Sequence, residues 1–156
     1  MTRVMTVVGT RPEIIRLSAV MKRLDSSLDH VLVHTGENYD PLLGEVFFRD
    51  LGLRAPDRLL NVRTDTLGQV LGDVLVGTEQ AIRDYAPDAL LVLGDTTSCL
   101  AAVMAKRLRV PVYHMAAGDR CFDETVPEET DRRLLDTDAG HNTVHTRQLR
   151  RHPTAV

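Results

Sequence analysis

The sequence lacks tryptophan and is poor in aromatic residues, with three tyrosines and three phenylalanines among 156 residues. Aliphatic side chains must therefore build the interior of a chain that is 43% apolar, as is usual in doubly wound α/β domains. The formal net charge is -3 and no basic stripe occurs, so the charge pattern gives little support to nucleic-acid binding. No apolar run approaches the length that crosses a bilayer. We therefore predict no nucleic acid and no membrane as a partner.

Cysteine is almost as scarce, since only Cys99 and Cys121 are present and their spacing is not that of metal ligands. We interpret both as free thiols in a reducing cytoplasm. His34 and His114 each follow an apolar run and are interpreted as hydrogen-bonded structural residues, so no metal site is predicted. The N-terminal stretch MTRVMTVVGT passes directly into a strand pattern and has none of the regions of a signal peptide. These features together predict a cytoplasmic protein.

Short β-branched runs alternate with longer helical patterns along the chain. Strands are predicted at 4–9, 30–36, 89–94 and 110–115, because each run is apolar and three of them end at glycine. Helices are predicted at 12–24, from Pro41 to near Gly52, at 66–85 and at 97–108. A short strand is compatible with 139–146, and 147–156 hold at most one helical turn.

This alternation of strand, crossover helix and strand predicts the fold class, an α/β protein with a doubly wound, Rossmann-like parallel sheet. Ligands of such sheets bind at the carboxyl ends of the strands. Four loops are expected there, namely GTRPE (9–13), HTGENYD (34–40), GDTTS (94–98) and the polar stretch HMAAGDRCFDETVPEETDRR (114–133). The sequence therefore predicts that a ligand site lies among these loops.

Charged residues in three of these loops each have two interpretations. Arg11, beside a helix start, suits either a bound phosphate or a surface ion pair. Asp95, directly after the most apolar strand, suits either a helix cap or an acid–base group. Glu128 and Glu129 follow Pro127 at a helix start and point about 100° apart, so one can act on a ligand while the other caps. Neither a GxGxxG nor a Walker sequence occurs, and the residue types alone leave these alternatives open.

Taken together, the loops are more specific than any one of them. VVGTRPEIIRLSAVMKRL, HTGENYD and the run LLVLGDTTSCLAAVMAKRLRVPVYHMAAGDRCFDETVPEETDRR occur in consistent order along the chain. Over about residues 3–136 the chain resembles the N-terminal half of the non-hydrolysing UDP-N-acetylglucosamine 2-epimerases. The RCFD…VPEE version is similar to the branch that serves capsule and O-antigen precursor synthesis.

This resemblance implies a two-domain fold similar to that of the GT-B glycosyltransferases, with UDP-N-acetylglucosamine or a related UDP-sugar in the cleft. It also implies inversion at C2 of the sugar. A base removes the C2 proton while UDP leaves C1, and UDP then adds back as a proton returns to the opposite face. No cofactor is required. By their places in the family motifs, Asp95 and Glu128 are the expected catalytic residues, and Arg11, Arg120 and Glu129 are the expected substrate-binding residues.

Several polar positions depart from the family pattern. Ala116 stands where a catalytic glutamate is usual, Glu37 replaces a glutamine, and Asp119 replaces a frequent asparagine. An Asp-His pair of the family reads Asp136 and Thr137 here. Alanine can neither accept nor donate a proton, so the resemblance predicts the loss of one catalytic carboxyl group.

The predicted organisation is a Rossmann-like N-terminal epimerase domain at 1–140 and a truncated tail at 141–156, with the second domain absent. Because the family's second domain supplies most uridine and diphosphate contacts, we expect little or no epimerase activity from this chain alone. The implied partners are a separate C-terminal domain and a second copy in a homodimer. The alternative is a non-catalytic nucleotide-sugar-binding or regulatory module derived from the family. An N-terminal glycosyltransferase domain has less support, because GTRPE with GD and PEE is the epimerase combination.

Overall fold

The computed structural model describes residues 1–37 and 41–151. Its strands are β1 (Arg3–Val8), β2 (Asp29–His34), β3 (Arg58–Leu59), β4 (Ala89–Leu93), β5 (Val112–Ala117) and β6 (His141–Val144). Its α-helices are α1 (Arg11–Ser27), α2 (Pro41–Asp50), α3 (Leu67–Tyr85), α4 (Ala101–Arg107) and α5 (Pro127–Asp138). Short 3₁₀ helices span Thr97–Leu100 and Leu149–Arg151. The predicted alternation of strands and helices is confirmed over this range.

The six strands form one parallel sheet in the order β3-β2-β1-β4-β5-β6. This is the strand order of doubly wound dinucleotide-binding domains, in which the direction of winding reverses between β1 and β4. The predicted fold class is therefore confirmed. The crevice outside the carboxyl ends of β1 and β4 is the place where such a sheet binds a ligand.

The two edge strands differ in how well the sequence indicates them. β3 has only two residues, which pair with Val33 and His34 of β2, and two residues carry no periodicity to detect. The short strand expected within 139–146 is β6, which pairs in parallel with β5 from His141 to Val144. The sheet therefore continues past residue 140, where the sequence analysis places the end of the domain.

The helices begin and end close to the predicted residues, and one predicted helix is divided into two. The helix predicted at 97–108 consists of a 3₁₀ turn followed by α4, and α1 continues to Ser27 instead of ending near Leu24. At the start of α3, Thr66 caps the helix because its Oγ1 accepts the backbone N–H of Gln69 at 3.2 Å. Residues 38–40 of the loop HTGENYD and residues 152–156 of the predicted C-terminal turn lie outside the described residues.

Helices cover the two faces of the sheet with separate apolar layers. On one face, α3, α4 and α5 contribute residues such as Ile82 and Leu135 to a layer that contains Val92 of β4. On the other face, α1 and α2 contribute residues such as Leu17 and Phe48. Both layers are built mainly from aliphatic side chains, as the composition requires.

Both cysteines are free thiols, as predicted. Cys99 is buried in the layer under α3 and α4, and burial raises the pKa of its thiol, so it is unreactive near neutral pH. Cys121 is exposed in the segment between β5 and α5. Among the described helices, none is both long enough and apolar enough to cross a membrane.

Candidate functional site

A cleft of about 440 Å³ opens at the carboxyl edge of the sheet, beside the end of β4. Each of the four predicted loops contributes to its walls, through Thr10, Glu37, Asp95 and Glu128. Two leucines of α3, Leu67 and Leu71, lie on the remaining side. The loops therefore meet around one space, as the parallel topology predicts.

Asp95 follows β4 after Gly94, whose φ of +83° turns the chain at the strand end. Its carboxylate forms an ion pair with Arg132 of α5, with Oδ2 2.6 Å from Nε and 2.5 Å from Nη2. The capping interpretation of Asp95 does not hold, because the following 3₁₀ helix begins after Thr96. Sequence reasoning did not identify Arg132. The signal was its spacing of four residues from Glu128, which places both side chains on one helix face.

Several carboxyl groups line the cleft. Glu128 and Asp131 both reach it from the first turns of α5, and burial together with the nearby charges of Glu128 and Asp95 raises the pKa of Asp131. In the loop after β2, burial and the charge of Glu13 raise the pKa of Glu37. A raised pKa makes a carboxyl group a readier proton donor, and carboxyl groups in one cleft can act as acid and base on the same ligand.

Glu129 is adjacent to Glu128 but does not line the cleft, as their angular separation on a helix predicts. It is 1% exposed and accepts the backbone N–H of Cys121 at 3.1 Å. Arg133 and Arg132 donate to it at 3.1 Å and 3.4 Å. Burial raises the pKa of Glu129, but these hydrogen bonds outweigh burial and lower it to about 2. Glu129 thus anchors the loop as an anion, and its contact with a substrate stays a prediction.

Arg120 fastens the same loop to the far end of α5. Its Nη1 donates to Asp136 at 2.6 Å, and its Nε lies 3.9 Å from Glu129. Asp136 also accepts the backbone N–H of Gly118 at 3.0 Å, and Nδ1 of His114 lies 3.2 Å away. Burial raises the pKa of Asp136, while its contacts with His114, Arg120 and Gly118 produce a net lowering. Arg120 is therefore engaged within the protein, and its predicted contact with substrate stays a prediction.

Arg11 is the first residue of α1, and its side chain is exposed just outside the cleft lining. With the described residues it forms no side-chain hydrogen bond or ion pair, so the surface ion pair considered from the sequence does not form there. Its guanidinium is free to meet an anion beside the helix N-terminus. The phosphate-binding role of Arg11 stays a prediction.

Ala116 lies near the end of β5 with a backbone φ of +61°, where the pairing of β5 with β6 shifts register. Its methyl group is 7% exposed and belongs to the apolar layer that contains Ile14 and Leu17 of α1. A positive φ is unfavourable for alanine and is held by the surrounding structure. The position expected to carry a catalytic carboxyl group instead carries a methyl group in apolar surroundings.

Glu13 is a site residue to which the sequence analysis gives no role. It is 2% exposed, and its carboxylate accepts hydrogen bonds from Gly9 and Thr10 on one side and from Thr96 and Ser98 on the other. The signal in the sequence was the spacing Thr10-x-x-Glu13 at a helix start, which is typical of a capping box. Nothing in that local pattern indicates the contacts with residues more than 80 positions away.

The chain is similar to known proteins in both sequence and structure. The family model described as UDP-N-acetylglucosamine 2-epimerase matches residues 22–153. The UDP-2,3-diacetamido-2,3-dideoxy-D-glucuronate 2-epimerase of Pseudomonas aeruginosa is 39% identical over 137 residues, which are 86% of this chain and 39% of the relative. The solved UDP-N-acetylglucosamine 2-epimerase of Rickettsia bellii is 45% identical, with a TM-score of 0.93 over 99% of this chain and 42% of that chain. The Methanocaldococcus jannaschii UDP-GlcNAc 2-epimerase, solved in complex with UDP-GlcNAc and UDP, is 31% identical, with a TM-score of 0.93 over 99% of this chain and 43% of that one.

The strand order and the cleft at its switch point define a doubly wound α/β domain of the kind that binds nucleotide ligands. Within that class the chain belongs to the UDP-N-acetylglucosamine 2-epimerase family, as its motifs predict. It spans about two fifths of the length of the relatives it matches and corresponds to their N-terminal half.

Proposed function

We propose that this chain is the N-terminal, nucleotide-sugar-binding part of a UDP-N-acetylglucosamine 2-epimerase system. The observation that carries this proposal is the meeting of Asp95 and Glu128 in one cleft at the carboxyl edge of the sheet. Support for a UDP-sugar ligand comes from the Methanocaldococcus jannaschii neighbour, which was solved with UDP-GlcNAc and UDP.

The proposed reaction inverts C2 of a UDP-N-acetyl-hexosamine and needs no cofactor. One carboxylate removes the C2 proton as the C1–O bond to UDP breaks, which leaves a double bond between C1 and C2. UDP then adds to C1, and a carboxyl group returns a proton to the opposite face of C2. Asp95 and Glu128 are the proposed acid–base residues, because both reach the same space. Arg11 is proposed to contact the diphosphate, which the start of α1 also favours.

Glu129 and Arg120 are proposed to support substrate binding through the loop that they hold. Both side chains are engaged with α5 or with the segment between β5 and α5. That segment carries the backbone from the end of β5 to Glu128. Fixing it limits the positions that the Glu128 carboxylate can take, which is a large part of what makes an acid–base group effective.

We further propose that the isolated chain has little or no turnover. Ala116 cannot transfer a proton, and the chain matches only two fifths of its relatives' length, so it is proposed to supply one wall of the substrate cleft. A second wall excludes water and adds binding energy. The proposed partners are accordingly a separate C-terminal domain and a second copy of the chain. The proposed setting is the cytoplasm, in the synthesis of precursors for capsule or lipopolysaccharide.

The second candidate function is a non-catalytic nucleotide-sugar-binding or regulatory module. The observation that favours it is the apolar packing of Ala116, whose methyl group belongs to a layer of buried apolar side chains. A domain of this kind would keep the fold and bind the ligand without catalysing a reaction.

The test combines Ala116→Glu with a separately produced C-terminal domain from the Rickettsia bellii relative, which is 45% identical. The two pieces are mixed with UDP-N-acetylglucosamine, and the C2 epimer is detected by proton NMR of the anomeric region. Ala116→Gln is the matched control, because it has nearly the same size and shape but no proton to transfer.

Turnover with glutamate and none with glutamine would support the epimerase proposal. A folded glutamate variant that binds UDP-N-acetylglucosamine without turning it over would favour the non-catalytic module. Circular dichroism of each variant establishes that the pieces are folded. If the wild-type chain and the mixture both fail to bind any UDP-sugar, the whole proposal is wrong.

A further inference from the structure

Glu13 joins two loops that are distant in the sequence and adjacent at the cleft. Its Oε2 accepts the backbone N–H groups of Gly9 and Thr10 at 2.9 Å and 2.7 Å. Its Oε1 accepts the hydroxyl groups of Thr96 and Ser98 at 2.7 Å and 2.5 Å. One buried carboxylate therefore bridges the loop after β1 and the loop after β4.

Helix capping alone does not account for this arrangement. A capping-box glutamate needs only the backbone N–H of the residue three positions earlier, which here is Thr10. The contacts with Thr96 and Ser98 span 83 and 85 positions of sequence. They use the second oxygen atom, which a cap would leave to solvent.

The loop after β1 packs tightly against its neighbours at Gly9. A Cβ atom at Gly9 would lie 2.6 Å from Oγ1 of Thr35 and 3.1 Å from Cβ of Ser98. The contact with Thr35, in the loop after β2, is too short for any side chain, and the contact with Ser98 is tighter than an ordinary van der Waals contact, so the glycine also lets the loop after β1 lie close to the loop after β4. Glu13 supplies the hydrogen bonds that hold this approach in place.

We propose that Glu13 is the positioning residue of the cleft, because its side chain sets the separation between Thr10 on the first loop and Asp95 on the second. Thr10 donates to Glu13 from its backbone, and Asp95 directly precedes Thr96, which donates from its hydroxyl. Both Thr10 and Asp95 line the cleft. The inference rests on the proposed function to the extent that the ligand of the cleft is a UDP-sugar.

Two substitutions of Glu13 distinguish the effect of its side-chain length from the effect of its negative charge. Glu13→Asp keeps the negative charge but is one methylene shorter, so it can serve only one of the two loops. Glu13→Gln keeps the reach, because its oxygen can accept the backbone N–H groups while its amide donates to the hydroxyls of Thr96 and Ser98. Glu79→Asp on α3, whose carboxylate pairs with Arg83 at the surface, is the matched control.

The first readout is the dissociation constant of UDP-N-acetylglucosamine from the full chain, measured by NMR from the changes in its amide signals. We expect Glu13→Asp to weaken binding by about tenfold, because a displaced loop misaligns the groups that meet the ligand. Glu13→Gln and Glu79→Asp are expected to bind as the wild type does. A purely electrostatic role predicts a different order, in which the glutamine variant binds the anionic ligand most tightly. Equal affinity of the aspartate variant and the wild type would overturn the proposal.

The second readout needs no ligand and so distinguishes failure of this inference from failure of the proposed function. Amide hydrogen exchange of Gly9 and Thr10 and the amide chemical shift of Asp95 are measured in the same variants. Faster exchange together with a moved Asp95 signal in Glu13→Asp, both restored in Glu13→Gln, would support the positioning role even if the wild type bound no UDP-sugar. An unmoved Asp95 signal in Glu13→Asp would overturn it, because the second loop would then be independent of the first.

Discussion

Glu128 and Glu129 are neighbours in the chain, yet α5 directs one to the cleft and buries the other among three arginines. Glu128 is exposed at the cleft wall, whereas Glu129 is surrounded by Arg120, Arg132 and Arg133. The helical rotation of about 100° between consecutive residues is sufficient for this division. Adjacent identical residues can therefore serve a ligand and the fold respectively.

Replacing Glu129 by glutamine is expected to destabilise the chain by about 2 kcal/mol at neutral pH, because the arginines and the backbone N–H that donate to this buried carboxylate lose their anion. The folded-state pKa of Glu129 is lowered from 4.5 to about 2. Its contribution is therefore fully present above pH 4.5 and is lost as the pH falls towards 2. Urea unfolding of both proteins across this range is the measurement, and the difference between them should shrink on acidification.

Glu124→Gln is the matched control for this experiment. Glu124 also pairs with Arg133 but is largely exposed, so its removal is expected to change stability by less than about 0.5 kcal/mol. A difference between wild type and Glu129→Gln that stayed constant from neutral pH to pH 2 would contradict the ionised state assigned to Glu129.

His34 gives the fold an acid sensitivity in a different range of pH. Burial lowers its pKa from 6.5 to about 4, and its Nδ1 accepts the backbone N–H of Gly36 at 2.8 Å. The unfolded chain binds the proton first, so stability falls as the pH drops from 6.5 to 4, by on the order of 3 kcal/mol. His34→Asn retains an acceptor and does not titrate.

The measurement is the free energy of unfolding in urea at several pH values between 6.5 and 4 for wild type and His34→Asn. The wild type is expected to lose more stability than the variant over this range. His145→Asn, at an exposed histidine, should behave as the wild type does. Parallel pH profiles for wild type and His34→Asn would show that His34 is not the acid-sensitive group.

At the scale of the elements, the N-terminus of α3 is capped by a threonine side chain. Thr66 caps it through the backbone N–H of Gln69, and Thr66→Ala is expected to lower the free energy of unfolding by about 1 kcal/mol. Thr64→Ala, two residues earlier in the exposed loop, is the control with no helix to cap. Equal urea midpoints for the two variants would show that the Thr66 cap does not stabilise the fold.

The elements that the sequence predicts well are those whose signal is local. The apolar runs at 4–9 and 89–94 become β1 and β4 because their side chains are buried on both faces. The division of 97–108 into a 3₁₀ turn and α4 has no such signal. Thr96 and Ser98 bind Glu13, so a residue far away in the sequence shapes this turn.

The residues of the site also differ in whether the local sequence indicates them. Asp95 and Glu128 are expected in the site from the family motifs that they match, and both line the cleft. Arg132 and Glu13 act through partners 37 and more than 80 residues away. Spacing within one element cannot reveal such pairs, because only the sheet topology brings them together.

At the scale of the whole molecule, self-association is the expected behaviour. Large apolar side chains such as Leu67 and Val76 of α3 are 71% and 56% exposed, and exposed apolar surface favours contact with a second copy. Size-exclusion chromatography with light scattering is expected to give twice the mass of one chain at micromolar concentration. A mass of one chain under these conditions would contradict the proposed homodimer.

The position of β1 in the sheet also has a consequence for synthesis on the ribosome. β1 pairs with β2 on one side and with β4, at Ala89 to Leu91, on the other. While residues 35–88 are being added, the unit formed by β1, α1 and β2 leaves the β4-facing edge of β1 unpaired for on the order of 3 to 10 s. An unpaired edge of that kind is a template for pairing with other nascent chains. Yield of folded protein should therefore respond to translation speed and to chaperones that shield this edge, more than to any substitution in the cleft.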